Sequence, residues 1–347
     1  MSDFRIDQIT NQAGTAGPDI AGITTFSGSS GLLMPSGPTE YRGGRGRAIF
    51  TSGYSPSPTS GIDIITISTL GNAADFGDMS GNRAQQSGTS NSTRGVYAGS
   101  TPSTQELIIF SSGGSTSFFG DGSTNMSVSR RGTGSCSSQI RGFFAGGQGQ
   151  SPSPTGKDVI DFVIFNSLGN FTDFGDLTHQ RRQLAGLSSP TRGVFGGGYN
   201  GDSSPYIRYD TMDYMSLSTL GNAIDFGNLT IARGSFSGCS NSIRGLFAGG
   251  TTPSNTNVID YVTISTLGNA IDFGDLLGGS SFYNNGASTT QVRAVFGGGY
   301  SGPANTNVIS YVTIATTGDS VDFGDLTFGR AIGNDGGISD AHGGLGD

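Results

Sequence analysis

The chain repeats one phrase six times, and this repetition limits the folds that it can adopt. The clearest copy, residues 244–275, reads RGLFAGGTTPSNTNVIDYVTISTLGNAIDFGD. Each copy opens on an arginine, and successive opening arginines lie 47, 47, 51, 52 and 49 residues apart. The six are Arg47, Arg94, Arg141, Arg192, Arg244 and Arg293. A period of about 50 residues with several short strands is typical of β-propellers, whereas solenoids of small units usually have shorter periods.

Each copy contains the text of four short strands. RGLFAGG predicts strand 2, VIDYVTIS strand 3 and NAIDFGDL strand 4, with a Leu-Gly-Asn turn between the last two. Small residues before each arginine, as in ARGSFSGCSNS at 232–242, predict an inner strand 1 where the blades converge. Strand 3 is apolar on both faces, which suits a sheet packed between neighbouring blades. The prediction is an all-β propeller of six blades, each with four antiparallel strands.

The two ends of the repeat array indicate how the ring closes. The segment 329–337, GRAIGNDGG, resembles a strand 1 but no further unit follows it, and the first unit lacks a strand 1. We therefore predict that residues 330–337 supply the innermost strand of the first blade and contact residues 47–53. An alternative with seven blades, one built jointly from 22–35 and 330–347, stays open. The predicted parts are an extended N-terminal arm at 1–45 and a propeller at 46–347.

Composition supports strands and excludes several classes of function. The chain has 61 Gly, no Trp, one Lys and two Glu, so long helices are not expected. A net charge of −8 without runs of like charge argues against nucleic-acid binding. No apolar run is long enough for a membrane-spanning helix, and the start lacks the apolar core of a signal peptide. Cys136 and Cys239 occupy equivalent places in non-adjacent units, so we predict two buried free thiols.

Acidic residues recur at one position of strand 3. They are Asp63, Glu106, Asp161, Asp213 and Asp260, with Ser310 in the sixth unit. A catalytic carboxylate would be needed once, whereas these occur in almost every unit. We therefore predict a structural ladder in which the opening arginines bind these carboxylates.

The remaining motifs do not indicate catalysis. The recurring DFGD text lacks the glycine-rich loop, strand lysine and catalytic loop of a kinase, and it is predicted to be a turn and core element. His179 and His342 are the only histidines, too few for a histidine metal centre. We expect no enzymatic activity, no metal and no cofactor.

The loops between strands 2 and 3 vary most in length, and rotation of the units places all of them on one face of the disc. Variable loops on a rigid scaffold are where binding is expected, although they could also be solvated connections only. Their aromatic and amide side chains could stack on sugar rings or pack on a protein partner. The candidate binding residues are Tyr54, Tyr199, Tyr206, Tyr300, Asn255 and Asn305.

The unit resembles the kelch repeat over about 300 residues. The double glycines, as at Gly146–Gly147 and Gly249–Gly250, match the kelch glycine pair. Phe76, Phe119, Phe174, Phe226, Phe273 and Phe323 stand where kelch units carry Trp. Arg83, Arg130, Arg182, Arg233 and Arg330 stand where kelch units carry a small residue followed by Arg. The chain departs from the kelch pattern by lacking Trp and by the order Asp-Tyr, as at Asp260–Tyr261.

A narrower resemblance involves STLGNAIDFGDL together with the short N-terminal arm. Both look like kelch-type virion proteins of tailed phages, notably those of marine cyanobacteria. This resemblance implies a non-enzymatic structural protein of the tail, neck or capsid surface. It implies several symmetric copies, made in the host cytoplasm and bound to other virion proteins through residues 1–35. It also implies possible contact with a host-surface glycan or receptor. The alternative is a kelch-type propeller that binds carbohydrate or a receptor outside any virion.

Overall fold

The computed structural model describes residues 46–100, 104–120, 126–149, 155–200, 206–277, 285–300, 302, 304–333 and 335–346. These residues form strands and a single 3₁₀ turn at Gly343–Leu345. The predicted arm, residues 1–45, lies outside the described residues, as do residues 22–35 of the seven-bladed alternative. Six sheets of four antiparallel strands each form the blades of a β-propeller.

The strands of blades 1 to 3 follow the repeat text closely. Blade 1 contains β1 (Arg47–Tyr54), β2 (Pro58–Thr66), β3 (Ala74–Arg83) and, from the far end of the chain, β28 (Gly337–Ser339). Blade 2 contains β4 (Ser87–Ser90), β5 (Arg94–Ala98), β6 (Glu106–Ile109) and β7 (Ser117–Phe118). Blade 3 contains β9 (Gly134–Ser137), β10 (Arg141–Ala145), β12 (Lys157–Ile164) and β13 (Thr172–Arg181). A small ribbon beside it pairs β8 (Arg130–Arg131) with β11 (Gln148–Gly149).

Blades 4 to 6 continue the same order. Blade 4 contains β14 (Ala185–Ser188), β15 (Arg192–Gly196), β18 (Thr211–Ser216) and β19 (Ile224–Asn228). Its loop holds a ribbon of β16 (Tyr199–Asn200) and β17 (Ile207–Arg208). Blade 5 contains β20 (Ser237–Ser240), β21 (Arg244–Ala248), β22 (Val258–Thr263) and β23 (Ile271–Asp275). Blade 6 contains β24 (Gly286–Thr289), β25 (Arg293–Gly297), β26 (Val308–Thr313) and β27 (Val321–Asp325).

The ring is closed, and the number of blades is six. The first strands of successive blades contact one another around the axis, and β28 contacts both β24 and β4. Closure by the C-terminal segment is confirmed, since Phe50 pairs with Gly337 and Tyr54 bridges Ala331. The paired strand is Gly337–Ser339, and residues 330–336 lead to it, so the predicted strand was placed a few residues too early.

The hydrophobic core lies between the blades. One cluster joins blades 4 and 5 through Phe226 and Phe247. Another joins blade 6 to blade 1 through Phe323 and Phe50, together with Ile332. Both faces of each sheet are therefore covered, as the two-sided apolar pattern of strand 3 predicts.

The Phe-Gly of the recurring DFGD text connects neighbouring blades at their outer strands. In blade 4, Gly227 has φ +141°, and a Cβ there would lie 2.4 Å from the carbonyl oxygen of Gly268 in the next blade. Gly268 N–H in turn donates to the carbonyl of Phe226. Only glycine allows both the backbone angle and this approach. The DFGD text is a turn and core element, as predicted.

Candidate functional site on the loop face

A buried ion pair recurs in five blades, but it does not use the predicted arginines. The strand-3 carboxylate binds the arginine that precedes strand 1 of the same blade, at N–O distances of 2.7–3.3 Å. The pairs are Arg83–Glu106, Arg130–Asp161, Arg181–Asp213, Arg233–Asp260 and Arg330–Asp63. The partner in blade 4 is thus Arg181, beside the residue matched to the kelch pattern. The predicted ladder with the strand-2 arginines was wrong.

Geometry explains the choice of partner. Asp260 on strand 3 lies opposite Phe247, three residues beyond Arg244, so Arg244 sits near the other end of the blade. Three residues of strand span roughly 10 Å, and the odd spacing directs the Arg244 side chain to the opposite face of the sheet from Asp260. Arg233 reaches Asp260 from the strand-1 side and also donates to the Phe247 carbonyl. Burial lowers the pKa of the Arg233 guanidinium, and the Asp260 carboxylate partly offsets that effect.

The strand-2 arginines instead connect adjacent blades. Arg244 stacks over the Tyr261 ring and donates to the carbonyls of Ile314 and Ala315 in blade 6. Five of the six make such a bond to carbonyls of the next blade without an ion pair among the described residues. They are Arg94, Arg141, Arg192, Arg244 and Arg293. Arg47 bonds to the next blade in the same way and also binds the Asp340 carboxylate.

A closed circle of hydrogen bonds surrounds the axis. The last hydroxyl of each inner strand donates to the carbonyl of the matching residue in the preceding blade, at 2.6–2.8 Å. The donors are Ser90, Ser137, Ser188, Ser240, Thr289 and Ser339. The small residues predicted for strand 1 thus allow the inner strands to approach one another closely, and their hydroxyl groups form the hydrogen bonds between blades.

Residues near the C-terminus fill the space inside that circle. The Asp335 carboxylate accepts N–H bonds from Ser135 and Gly186 at 2.8 Å and from Gly238 at 3.1 Å. Burial nonetheless raises the pKa of Asp335 to about 7. His342 donates from Nε2 to the Ser90 carbonyl, and burial lowers its pKa to about 4. The cavity between these groups measures about 50 Å³, far below the several hundred Å³ typical of ligand sites.

The two cysteines lie beside this cavity. Cys136 and Cys239 are buried and free, as predicted. Burial, and secondarily the Asp335 carboxylate, raises the pKa of both thiols. They are therefore poor nucleophiles and behave as small core residues.

A depression lies on the loop face, which carries the strand 2–3 loops and the strand 4–1 connections. Its volume is about 800 Å³. The loops of blades 1 and 6 form one wall with Tyr54, Tyr300 and Asn305, and the Asn305 amide donates to the Tyr54 carbonyl at 2.7 Å. Arg131 and Gln85 contribute polar groups from the strand 4–1 connections. Three of the predicted binding residues thus share one site.

The other predicted binding residues lie elsewhere on the same face. Tyr199 and Tyr206 stack at 4.9 Å, with the Arg182 guanidinium 4.9 Å from the Tyr199 ring. Tyr199 donates its hydroxyl to Gln183, and burial is the main cause of its raised pKa. The two tyrosine side chains therefore already contact each other, Arg182 and Gln183, which leaves less of their surface for a ligand. Asn255, which bridges Thr251, belongs to the loop of blade 5.

Sequence reasoning missed three groups. Arg131 in the loop-face depression was not distinguished from the adjacent repeat residue Arg130. Asp335 and His342 occur once, outside the repeat, so comparison of the units does not reveal them. One signal was available for the ion pairs: the sixth unit has Ser310 in place of the acid and no arginine between Leu276 and Val292. Loss of both partners in one unit indicates that they belong together.

The sequence matches no protein-family model and no curated protein. Among the described residues, no group of three or more His, Cys, Asp or Glu side chains is placed to hold a metal ion. The same part of the chain contains no helix with the length and apolar character needed to cross a bilayer.

Proposed function

We propose that this protein is a non-enzymatic structural component of a tailed-phage virion, attached through its N-terminal residues and displaying the loop face. The placement of two features on opposite sides of the disc supports this proposal. The described chain begins at Gly46, whose carbonyl accepts from Ile67 beside the strand 3–4 turn. The depression around Tyr54 and Tyr300 lies on the loop face, at the other end of the blades.

The structural use of the repeated charges supports a scaffold. Buried arginines and acids are paired inside the blades, and the strand-2 arginines join each blade to the next. These arginine and acidic side chains are held in ion pairs and hydrogen bonds within the ring, so they are not placed for proton transfer or nucleophilic attack. The kelch-like repeat and the phage-like phrase remain the basis for the virion assignment.

Incorporation into particles tests the attachment role. The full chain and a chain lacking residues 1–35 would be produced in infected cells, and purified particles would be probed for each. We expect the full chain in particles and the truncated chain only in the soluble fraction. Thermal unfolding of the truncated chain checks that the propeller still folds. Absence of the full chain from particles would refute the virion role.

A second candidate function is carbohydrate binding outside any virion, and the depression favours it. Tyr54 is 52% exposed, so its ring is available to stack on a sugar. A glycan array with the purified chain tests this function. Tyr54→Ala and Tyr300→Ala should abolish any signal, whereas Tyr206→Ala, which lies outside the depression, should retain it. An array without signal, or a signal unchanged by the first two variants, would contradict glycan binding here.

A further inference from the structure

The face opposite the loops carries a concentration of exposed aliphatic side chains. We call it the turn face, because it holds the strand 1–2 turns and the strand 3–4 turns. Of the 17 large hydrophobic side chains that are exposed among the described residues, 12 lie on these turns or on the adjoining strand ends. They are Leu70, Ile109, Ile140, Ile164, Leu168, Leu220, Ile224, Ile243, Leu267, Ile271, Val292 and Val321. Leu220 and Ile243 are 64% and 62% exposed.

Hydrogen bonds bring these turns together into a continuous surface. Phe165 N–H donates to the Ile140 carbonyl, which places the two turns of blade 3 side by side. Arg141 then donates to Ser218 in the turn of blade 4. Apart from Asp319, the turns themselves contain no charged residue, and the charges nearest to them are the strand-2 arginines and strand-4 aspartates at the adjoining strand ends. An apolar surface that recurs from blade to blade contributes nothing to the core and indicates a binding surface.

The chain enters the propeller on this face. Gly46 accepts from Ile67 N–H at 2.7 Å and lies against Thr290 of blade 6. Because strand 1 of blade 1 comes from the C-terminal end, blade 1 has no strand 1–2 turn of its own. The preceding residues therefore emerge beside the strand 1–2 turn of blade 6, which presents Val292.

The sequence before Gly46 has suitable side chains within reach. It contains the apolar runs GITTF at 22–26 and LLM at 32–34. Eleven residues separate Met34 from Gly46, and this stretch can span roughly 40 Å when it is extended. That distance is comparable with several neighbouring blades, since stacked sheets lie about 10 Å apart.

We propose that residues 32–34, assisted by 22–26, pack on the aliphatic turn face of the same chain. This proposal goes beyond the virion assignment and does not depend on it. Burial of leucine and methionine side chains against the exposed leucines of the turns provides the driving force. Residues 1–21 would remain available for attachment.

Labelling of introduced cysteines tests the packing in the full chain. Leu220→Cys and Leu267→Cys place single probes on the turn face, and Ile207→Cys places a control on the loop face. The native Cys136 and Cys239 are buried and do not compete. Each probe is labelled with a maleimide in the otherwise native chain and in a chain that also carries Leu32→Ser, Leu33→Ser and Met34→Ser.

We expect the turn-face probes to react about tenfold more slowly in the native chain than in the serine chain. This ratio corresponds to a protecting free energy of about 1.4 kcal/mol. The Ile207→Cys control should react equally in both. Equal rates for the turn-face probes would overturn the proposal, as would protection that persists in the serine chain. Protection that disappears on dilution would identify a second copy as the occupant and would also overturn it.

Discussion

Replacement of Asp260 by Ser should destabilise the propeller by about 3–5 kcal/mol, because it leaves a buried guanidinium without its carboxylate. The side chains of Arg233 and Asp260 are both 0% exposed and lie 3.0 Å apart. Asp260 also accepts from the Thr230 backbone N–H and hydroxyl. Sequence position 310 shows that Ser is sterically acceptable at this place in a blade, so the cost would come from the unpaired charge.

Removal of both partners should cost less than the sum of the single changes. Arg233→Met keeps an apolar stem in the blade, although the carbonyls of Phe247 and Val258 lose a donor. We expect a favourable coupling energy of about 2–3 kcal/mol between Arg233→Met and Asp260→Ser. The sequence of blade 6 lacks both the acid and the arginine, so this blade already carries the equivalent of the double replacement.

Urea unfolding followed by circular dichroism and tyrosine fluorescence measures these effects, since the chain contains no Trp. Asp225→Ser is the matched control, because this strand-4 acid is exposed and its loss should change stability by less than about 0.5 kcal/mol. If the double variant lost the full sum of the single losses, the two residues would not act as a pair and the reasoning would fail.

Further predictions concern the blade contacts and the axis. Gly227→Ala should lower the denaturation midpoint more than Gly268→Ala, because both have φ near +145° but only the Gly227 site would bring a Cβ within 2.4 Å of a carbonyl. Arg244→Ala should lower the melting temperature through lost bonds to blade 6 and leave ligand binding unchanged; an unchanged melting temperature would contradict this role. Burial raises the pKa of Asp335 to about 7, so its contribution to stability falls as pH rises from about 4 to 7, and Asp335→Asn should remove that fall. Burial lowers the pKa of His342 to about 4, so its contribution rises between about pH 4 and 6.5, and His342→Gln should remove that rise in urea titrations across pH.

The architecture was predictable because every unit repeats the same physical solution. In each copy strand 3 is apolar on both faces and strand 1 contains small residues, so the strands assigned in one unit apply to the others. Ring closure followed from the surplus strand-like text after the sixth unit. Its register was missed because Asp335 adopts φ +51° and the chain turns before it pairs, which the strand-like residues at 330–333 do not indicate.

The ion pairs were harder to predict because each unit offers two arginines. Arg244 and Arg233 both recur in phase with Asp260, so periodicity alone cannot distinguish them. The distinction depends on which end of the blade holds the carboxylate, and that is a matter of strand register. The grouping of Tyr54 with Tyr300 likewise depends on the contact between the first and sixth blades.

Closure by β28 also sets the order in which the molecule can be completed during synthesis. Arg47 and its partner Asp340 are separated by 293 positions, which a ribosome covers in roughly 15–60 s at about 5–20 residues per second. Throughout that interval the inner edge of blade 1 has no strand beside it. An open strand edge is a template for pairing with other chains, so nascent chains are exposed to mispairing with one another until β28 has been made.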